Sequence, residues 1–246
     1  MRTRLLIVIA ALALLAGCTK DPAWPPKQQV RLVVRPVWNG TPFHKTDAHI
    51  TPAQERVLVQ QVKFFLSGIT LLGKGTASTV SPVEILDITD GEQVRYGTVD
   101  VGGYDSLRFG LGLPPELNHA DITTVVPPSP LDFSQGMYWT WATMYRFMLF
   151  DGRYDTNAAG TGVPPYQFSI HTGRDECYRS RTIALPLVVD QRSTAEIVLD
   201  VDIARFFGSG DQVLRLADGP QSHGEPQSLQ LAEKFSDLAV AAINAE

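Results

Sequence analysis

The amino-acid sequence predicts an all-β protein, an antiparallel β-sandwich that ends in a C-terminal amphipathic helix. Nine segments are rich in Val, Ile, Thr and aromatic residues, and Gly, Pro, Asp or Asn separates most of them. This is the pattern of short strands joined by turns. No repeat of fixed period is present, so neither a solenoid nor a propeller is expected. About 215 residues remain after the N-terminal segment described below, enough for one β-rich domain. These observations together favour a sandwich.

The predicted strands differ in length, and the second of them is ambiguous. Gln60, Gln61 and Lys63 make residues 57–72 compatible with a helix as well as with a strand. The predicted strands are residues 30–37, 57–72, 83–88, 94–101, 106–111, 137–150, 166–171, 181–189 and 195–201.

The C-terminal region has a different pattern. From residue 229 onward, Leu231, Phe235, Leu238 and Ala242 recur at helical spacing among charged side chains. This predicts an amphipathic helix that closes one edge or end of the sandwich. The preceding residues, 208–227, are rich in glycine and polar residues, so we expect a surface loop that contains His223.

The N-terminus has the features of a bacterial lipoprotein signal. Two arginines precede an apolar run over residues 5–15, and small residues then lead to Cys18. The run is too short for a membrane-spanning helix. We expect residues 1–17 to be removed, Cys18 to be lipidated and residues 18–29 to tether the domain formed by residues 30–246. The protein is then anchored in the cell envelope, and Thr19 after the cysteine favours the outer membrane.

Charge and motifs exclude several classes of function. Residues 1–17 carry two positive charges, so the formal charge of -5 becomes -5 - 2 = -7 in the mature chain. An acidic chain without a basic run is not expected to bind nucleic acid. No GxSxG, HExxH or CxxC motif is present, which argues against a hydrolase and against structural zinc. We therefore expect a binding protein rather than an enzyme.

Cys177 is the one cysteine left in the mature chain, so it has no partner for an intrachain disulfide. Two interpretations remain open. Cys177 is either a buried apolar thiol or a reactive group, in the form of a soft metal ligand or a disulfide to another chain.

An aromatic segment flanked by histidine motifs is the most informative part of the chain. If residues 137–150 form one extended strand, Trp139, Trp141, Tyr145 and Phe147 share a face. That face is either an apolar core edge, an aromatic-lined metal site or an exposed stacking platform. The surrounding motifs are Leu117-Asn118-His119-Ala120-Asp121, Met137-Tyr138-Trp139-Thr140-Trp141 and Phe168-Ser169-Ile170-His171-Thr172-Gly173.

The histidines differ in their expected positions. His171 ends a strand on its more polar face, at a rim, where either a metal ligand or a hydrogen-bonded surface histidine fits. His119 follows a proline turn, and His44 and His49 flank a polar segment after the first strand. We leave His223 out of the candidate ligand set.

The order of these motifs resembles the MbnP-like family of periplasmic copper-binding proteins, which includes MopE and the metallo-mystery-pair proteins. The resemblance spans Val30 to Phe207 and is densest between Gly110 and Gly173. The run from Phe64 to Ile69 is similar to a strand of that family. The resemblance therefore implies a long bent strand over residues 57–72, with Ser67 and Gly68 at the bend.

The same resemblance implies a metal, its ligands and a partner. The metal is copper, expected as Cu(I), because a low-coordinate histidine site suits that ion. His171 and His119 match family histidine motifs, and His44 is a further candidate. Trp139, with Trp141 behind it, is the candidate for the tryptophan that relatives carry as kynurenine. A di-haem cytochrome of the cytochrome c peroxidase-like type is the expected partner. Met144, where relatives have glycine, and the lone Cys177 depart from the family pattern.

The sequence thus predicts a copper-binding lipoprotein that acts in acquisition, storage or handover. The alternative is a surface lipoprotein that binds carbohydrate or another ligand on an exposed face formed by Trp139, Trp141 and Tyr145.

Overall fold

The computed structural model describes residues 26–139 and 144–246. The predicted signal peptide and Cys18 lie outside these residues. Within them, no helix has the length and apolar character needed to cross a membrane.

The strands are β1 (Lys27–Trp38), β2 (Thr41–Pro42), β3 (His49–Ile50), β4 (Arg56–Gly73), β5 (Thr76–Asp87), β6 (Gln93–Asp100), β7 (Gly102–Leu111), β8 (Tyr138–Trp139), β9 (Met144–Asp155), β10 (Tyr166–Gly173), β11 (Arg179–Val189), β12 (Ala195–Asp202), β13 (Gly208–Ser209), β14 (Gln212–Val213), β15 (Gln221–Ser222) and β16 (Ile243–Ala245). The α-helices are α1 (Pro115–Asn118) and α2 (Leu229–Ala241).

The smaller sheet has β1 at its centre. Its order is β16-β12-β1-β2, and β6 also pairs with β1. Val30, Leu32 and Val34 are fully buried, as expected for alternate residues of a central strand. β1 starts at Lys27, so the last residues assigned to the tether belong to this strand. β1 runs parallel to β12 and antiparallel to β6, and β10 of the larger sheet runs parallel to the short strand β15, so the predicted antiparallel sandwich contains two parallel pairs among the described residues.

The larger sheet is organised around the long strand β4. Its order is β11-β7-β4-β9-β10-β15, with β3 and β5 also on β4 and β8 on β9. β4 bends where its register shifts between Ser67 and Thr70, and Gly68 there has a φ of 57°. A positive φ is accessible to glycine without steric cost. The long bent strand predicted for residues 57–72 is therefore confirmed.

The predicted single strand over residues 137–150 is wrong, because the chain reverses within it. β8 and β9 pair antiparallel, with Tyr138 opposite Tyr145 and Trp139 opposite Met144. Met144 has a φ of 62° at the start of β9. The reversal restarts the alternation of side chains, so Trp139 and Tyr145 do not share a face. Trp141 lies outside the described residues.

The main core fills the space between the two sheets and is rich in phenylalanine. The ring of Phe150 is fully buried, and its centroid lies 5.1 to 5.4 Å from those of Phe168, Phe206, Phe207 and Phe235. Phe235 comes from α2, so the helix packs against the sandwich. The predicted C-terminal amphipathic helix is confirmed.

A second, smaller core covers the outer face of the larger sheet. It contains Phe65, Leu113, Tyr145 and Phe147, which are all buried. Cys177 lies in the same cluster at 1% exposure, and burial raises the pKa of its thiol. This environment favours the apolar-thiol interpretation of Cys177.

Candidate metal centre

Strands β9 and β10 position the candidate site on the face of the larger sheet opposite the main core. Phe168 and Ile170 of β10 are buried in that core. Side chains alternate along a strand, so Ser169 and His171 point to the other face. Asp151 of β9 lies directly across from Ser169. A hydroxyl, an imidazole and a carboxylate therefore meet at this position.

One ring nitrogen of His171 is hydrogen-bonded to Asp151, and the other has no hydrogen-bond partner among the described residues. Its Nε2 lies 3.0 and 3.1 Å from the two carboxylate oxygens of Asp151. A carboxylate only accepts hydrogen bonds, so Nε2–H is the donor and Nδ1 of the neutral ring carries the lone pair. Nδ1 is buried and has no hydrogen-bond partner among the described residues. A histidine fixed by a carboxylate with its other nitrogen open is a common arrangement of metal-ligating histidines.

His223 provides a second imidazole next to the first. The two-residue strand β15 pairs parallel with β10, with Ser222 opposite Ile170, and this places His223 beside His171. The centroids of the two rings are 5.0 Å apart. Burial lowers the pKa of His223, and the neighbouring His171 and Arg146 lower it further, so the neutral form able to bind a metal is favoured.

The sequence analysis did not include His223 among the candidate ligands. Residues 208–227 were expected to form a surface loop, whereas Leu214, Leu216 and Ser222 are buried. β15 is too short to give a recognisable strand pattern. Its pairing with β10 depends on tertiary structure, and no local signal in the sequence marks His223.

Trp139 brings an aromatic ring to the two imidazoles. The centroid of its ring lies 6.1 Å from that of His171 and 5.9 Å from that of His223, both in edge-to-face geometry. The guanidinium carbon of Arg146 lies 5.1 Å from the centroid of the Trp139 ring, which is a cation–π contact. His171, His223, Trp139, Arg146 and Asp151 are named the two-histidine cluster below.

The charged groups around the two-histidine cluster are partly buried. Burial alone would raise the pKa of Asp151, but hydrogen bonds from His171 and Ser169 outweigh it and lower that pKa. Burial lowers the pKa of Arg146, and Asp151 acts in the opposite direction. Glu225 has a carboxylate oxygen 3.9 Å from Nδ1 of His223. Two carboxylates and one guanidinium give a net charge of -1, which complements a monovalent cation.

The other predicted ligands lie elsewhere. His119 is on the surface, where its Nε2 is 2.8 Å from a carboxylate oxygen of Asp175. His44 is exposed and lines a surface cavity beside the smaller sheet. His49 stacks on Trp38 with ring centroids 4.1 Å apart. Of the predicted metal-site residues, the structure brings together His171 and Trp139.

The exposed stacking platform of the alternative hypothesis is not formed as predicted. Tyr145 is 1% exposed, and its hydroxyl donates a hydrogen bond of 2.9 Å to the backbone carbonyl of Leu131. A buried ring cannot stack on a sugar. Trp139 is partly buried against His171 and His223 rather than displayed beside Tyr145.

The donor set of the two-histidine cluster decides which metals fit it. Within the described residues, no three or more His, Cys, Asp or Glu side chains are grouped so as to hold a metal. The cluster instead offers two imidazoles beside an indole. Zinc sites use three or four protein ligands, whereas imidazole binds copper well and Cu(I) accepts low coordination numbers. The open Nδ1 of His171 therefore fits copper better than zinc.

Comparison with protein families gives one match that covers most of the chain. The model of the MbnP family matches residues 27–224, a range that contains the whole two-histidine cluster. Among solved structures, MbnP from Methylosinus trichosporium is similar, with a TM-score of 0.50 and 13% sequence identity over 77% of this chain and 80% of that chain. At this identity the likeness shows a shared fold. Comparison with curated proteins gives no significant match.

Proposed function

Because the chain belongs to the MbnP family, we propose that it binds copper as Cu(I) in the bacterial cell envelope, between His171 and His223 and beside Trp139. Family membership is consistent with a copper-related periplasmic protein. The proposal adds the residues that hold the ion, its oxidation state and the location of the protein.

The unpartnered Nδ1 of His171 is the observation that carries this proposal. Leaving a polar atom buried without a partner costs about 1–3 kcal/mol, so such atoms call for an explanation. A ligand explains this one. The imidazole of His223 is close enough to contribute a second nitrogen, since the ring centroids are 5.0 Å apart. Copper is then the cargo of the protein, and the residues around the site bind the ion and shield it from solvent.

The proposed role is acquisition, storage or handover of copper rather than catalysis. We place the protein on a lipid anchor at Cys18, in the outer membrane, because of the N-terminal signal pattern. The MbnP family is linked to a partner protein, and we propose that the partner here is a di-haem cytochrome of the peroxidase-like type.

Copper titration with single-histidine variants tests the site. We expect wild-type protein to bind one Cu(I) per chain in competition with a chelator. His223→Ala is expected to weaken that binding about tenfold, or about 1.4 kcal/mol, because one of two imidazoles is lost. His119→Ala is the matched control, since His119 is paired with Asp175 on the surface. Equal losses in both variants, or unchanged affinity in a folded His223→Ala protein, contradict the assignment.

Trp139 is the proposed site of oxidative modification, because it is the described tryptophan that contacts both imidazoles. We expect protein purified from its native host to show the intact-mass increase of a tryptophan-to-kynurenine conversion. The same increase is expected to be absent in Trp139→Phe. A shift that persists in this variant moves the modification to another tryptophan, with Trp141 the next candidate. An unmodified wild-type mass contradicts the modification but not copper binding.

A further inference from the structure

Arg146 brings a positive charge into the two-histidine cluster. Its guanidinium carbon lies 5.1 Å from the centroid of the Trp139 ring, and that ring meets both imidazoles edge to face at 6.1 and 5.9 Å. Burial lowers the pKa of Arg146, so the guanidinium is partly removed from water. An arginine side chain stays protonated even in such a place. The charge is therefore present whenever a cation enters.

No carboxylate among the described residues neutralises Arg146 by direct contact. The two carboxylates next to the cluster are paired with its histidines, Asp151 with His171 and Glu225 with His223. Asp151 is near enough for its charge to act on the pKa of Arg146, but its oxygens lie 3.0 and 3.1 Å from Nε2 of His171. The positive charge of Arg146 is therefore felt by neighbouring groups.

The backbone around Arg146 fixes the position of its side chain. The amide nitrogen of Arg146 donates a hydrogen bond of 2.7 Å to the carbonyl of Met137, and one guanidinium nitrogen donates to the carbonyl of Gly136. Nε of Arg146 is buried and has no hydrogen-bond partner among the described residues. An unpaired buried donor costs stability, so packing alone does not account for an arginine here.

A fixed positive charge distinguishes cations by their charge. Coulomb energy is proportional to the product of the two charges, so Arg146 opposes a divalent ion twice as strongly as a monovalent ion in the same place. Salt screens this repulsion less where the charges are partly buried. The same repulsion acts on the protonated form of His223, whose pKa Arg146 helps to lower. Without Arg146, the net charge of -1 around the cluster becomes -2, which complements a divalent ion.

We propose that Arg146 is a specificity-determining residue, whose guanidinium makes the site prefer Cu(I) over Cu(II) by repelling the divalent ion more strongly. This inference rests on the proposed copper function and names the group that selects the oxidation state. It holds whether the ion binds to His171, to His223 or to both, because the Trp139 ring beneath Arg146 contacts each imidazole.

Separate affinities for Cu(I) and Cu(II), each measured by chelator competition, test this role. We expect wild-type protein to bind Cu(I) more tightly than Cu(II). In Arg146→Gln we expect the ratio of the two affinities to shift toward Cu(II) by about tenfold, the order of one charge–charge interaction near a protein surface. A tenfold shift corresponds to a fall of about 59 mV in the one-electron reduction potential, which voltammetry measures independently.

Two further variants separate the local charge from other effects of the substitution. Arg146→Lys keeps the positive charge and is expected to keep the affinity ratio and the potential near their wild-type values. Arg108→Gln makes the same change in total charge at an exposed position on β7 and is expected to change neither. Circular dichroism shows whether each variant is folded.

The possible results distinguish this inference from the copper function. Wild-type protein that binds Cu(II) as tightly as Cu(I) overturns the inference alone, even if Arg146→Gln does not fold. An unchanged affinity ratio in folded Arg146→Gln also overturns it, and so does an equal shift in Arg108→Gln. If Arg146→Lys behaves like Arg146→Gln, the charge is not the cause and the inference is wrong. Wild-type protein that binds neither ion contradicts the copper function, and the inference with it.

Discussion

His171→Ala is expected to lower the affinity of the protein for Cu(I) by at least tenfold, or about 1.4 kcal/mol, and by more than His223→Ala does. The substitution removes the buried Nδ1 that has no other partner. It also deprives the partly buried carboxylate of Asp151 of the Nε2–H donor at 3.0 Å. The site therefore loses a ligand nitrogen, and the negative charge of Asp151 loses its hydrogen-bond donor.

Chelator competition measures this loss, and circular dichroism shows whether the variant is folded. His171→Ala combined with Asp151→Asn separates the two effects, since the asparagine removes the uncompensated charge. We expect the double variant to regain stability but not copper affinity. A folded His171→Ala protein with wild-type affinity excludes His171 as a ligand, whatever the result for His223.

Phe150→Ala is expected to lower the free energy of unfolding by about 3–5 kcal/mol, which is the usual cost of replacing a buried phenylalanine by alanine. The ring is fully buried, and four other phenylalanine rings surround it at 5.1 to 5.4 Å. These rings come from β10, from residues 206 and 207 and from α2. The substitution would therefore create a cavity where the larger sheet packs against the helix. Urea denaturation measures the change.

Phe133→Ala is the control for this stability prediction. Its side chain is 67% exposed, so the expected change is within about 0.5 kcal/mol. Phe150 faces the main core, on the side of the sheet away from His171, and we expect the folded fraction of Phe150→Ala to bind Cu(I) as wild-type protein does. Equal stability of the two variants would mean that the phenylalanine cluster is not the stabilising centre of the domain.

The strands and the C-terminal helix could be predicted because their signals are local. β-branched and aromatic runs between turn residues mark most strands, and four apolar residues at helical spacing mark α2. The reversal between Trp139 and Met144 could not be predicted, because no glycine or proline interrupts the sequence there. The parallel pairing of β1 with β12 could not be predicted either, because the pattern of residues in a strand does not indicate which other strand it pairs with.

The candidate site was partly predictable for the same reason. His171 was found because it ends a strand in a recognisable motif, and Trp139 because it lies in an aromatic run. His119 has an equally plausible local motif, but its contact with Asp175 joins positions 56 residues apart. His223 reaches the site through a strand of two residues. The position of each depends on tertiary contacts that the sequence pattern does not contain.

The pairing of β1 with β12 has a consequence for the order of folding. The ladder joins residues 165 positions apart, as in the contact between Arg31 and Glu196. The smaller sheet therefore cannot close until the residues of β12 have been synthesised, which is late in the chain. Until then, the edge of β1 that pairs with β12 has unpaired backbone groups along an apolar strand, which is a hazard for association between chains. We expect slow folding, in the range of milliseconds to seconds typical of non-local β topologies, and a need to protect this strand while the rest of the chain arrives.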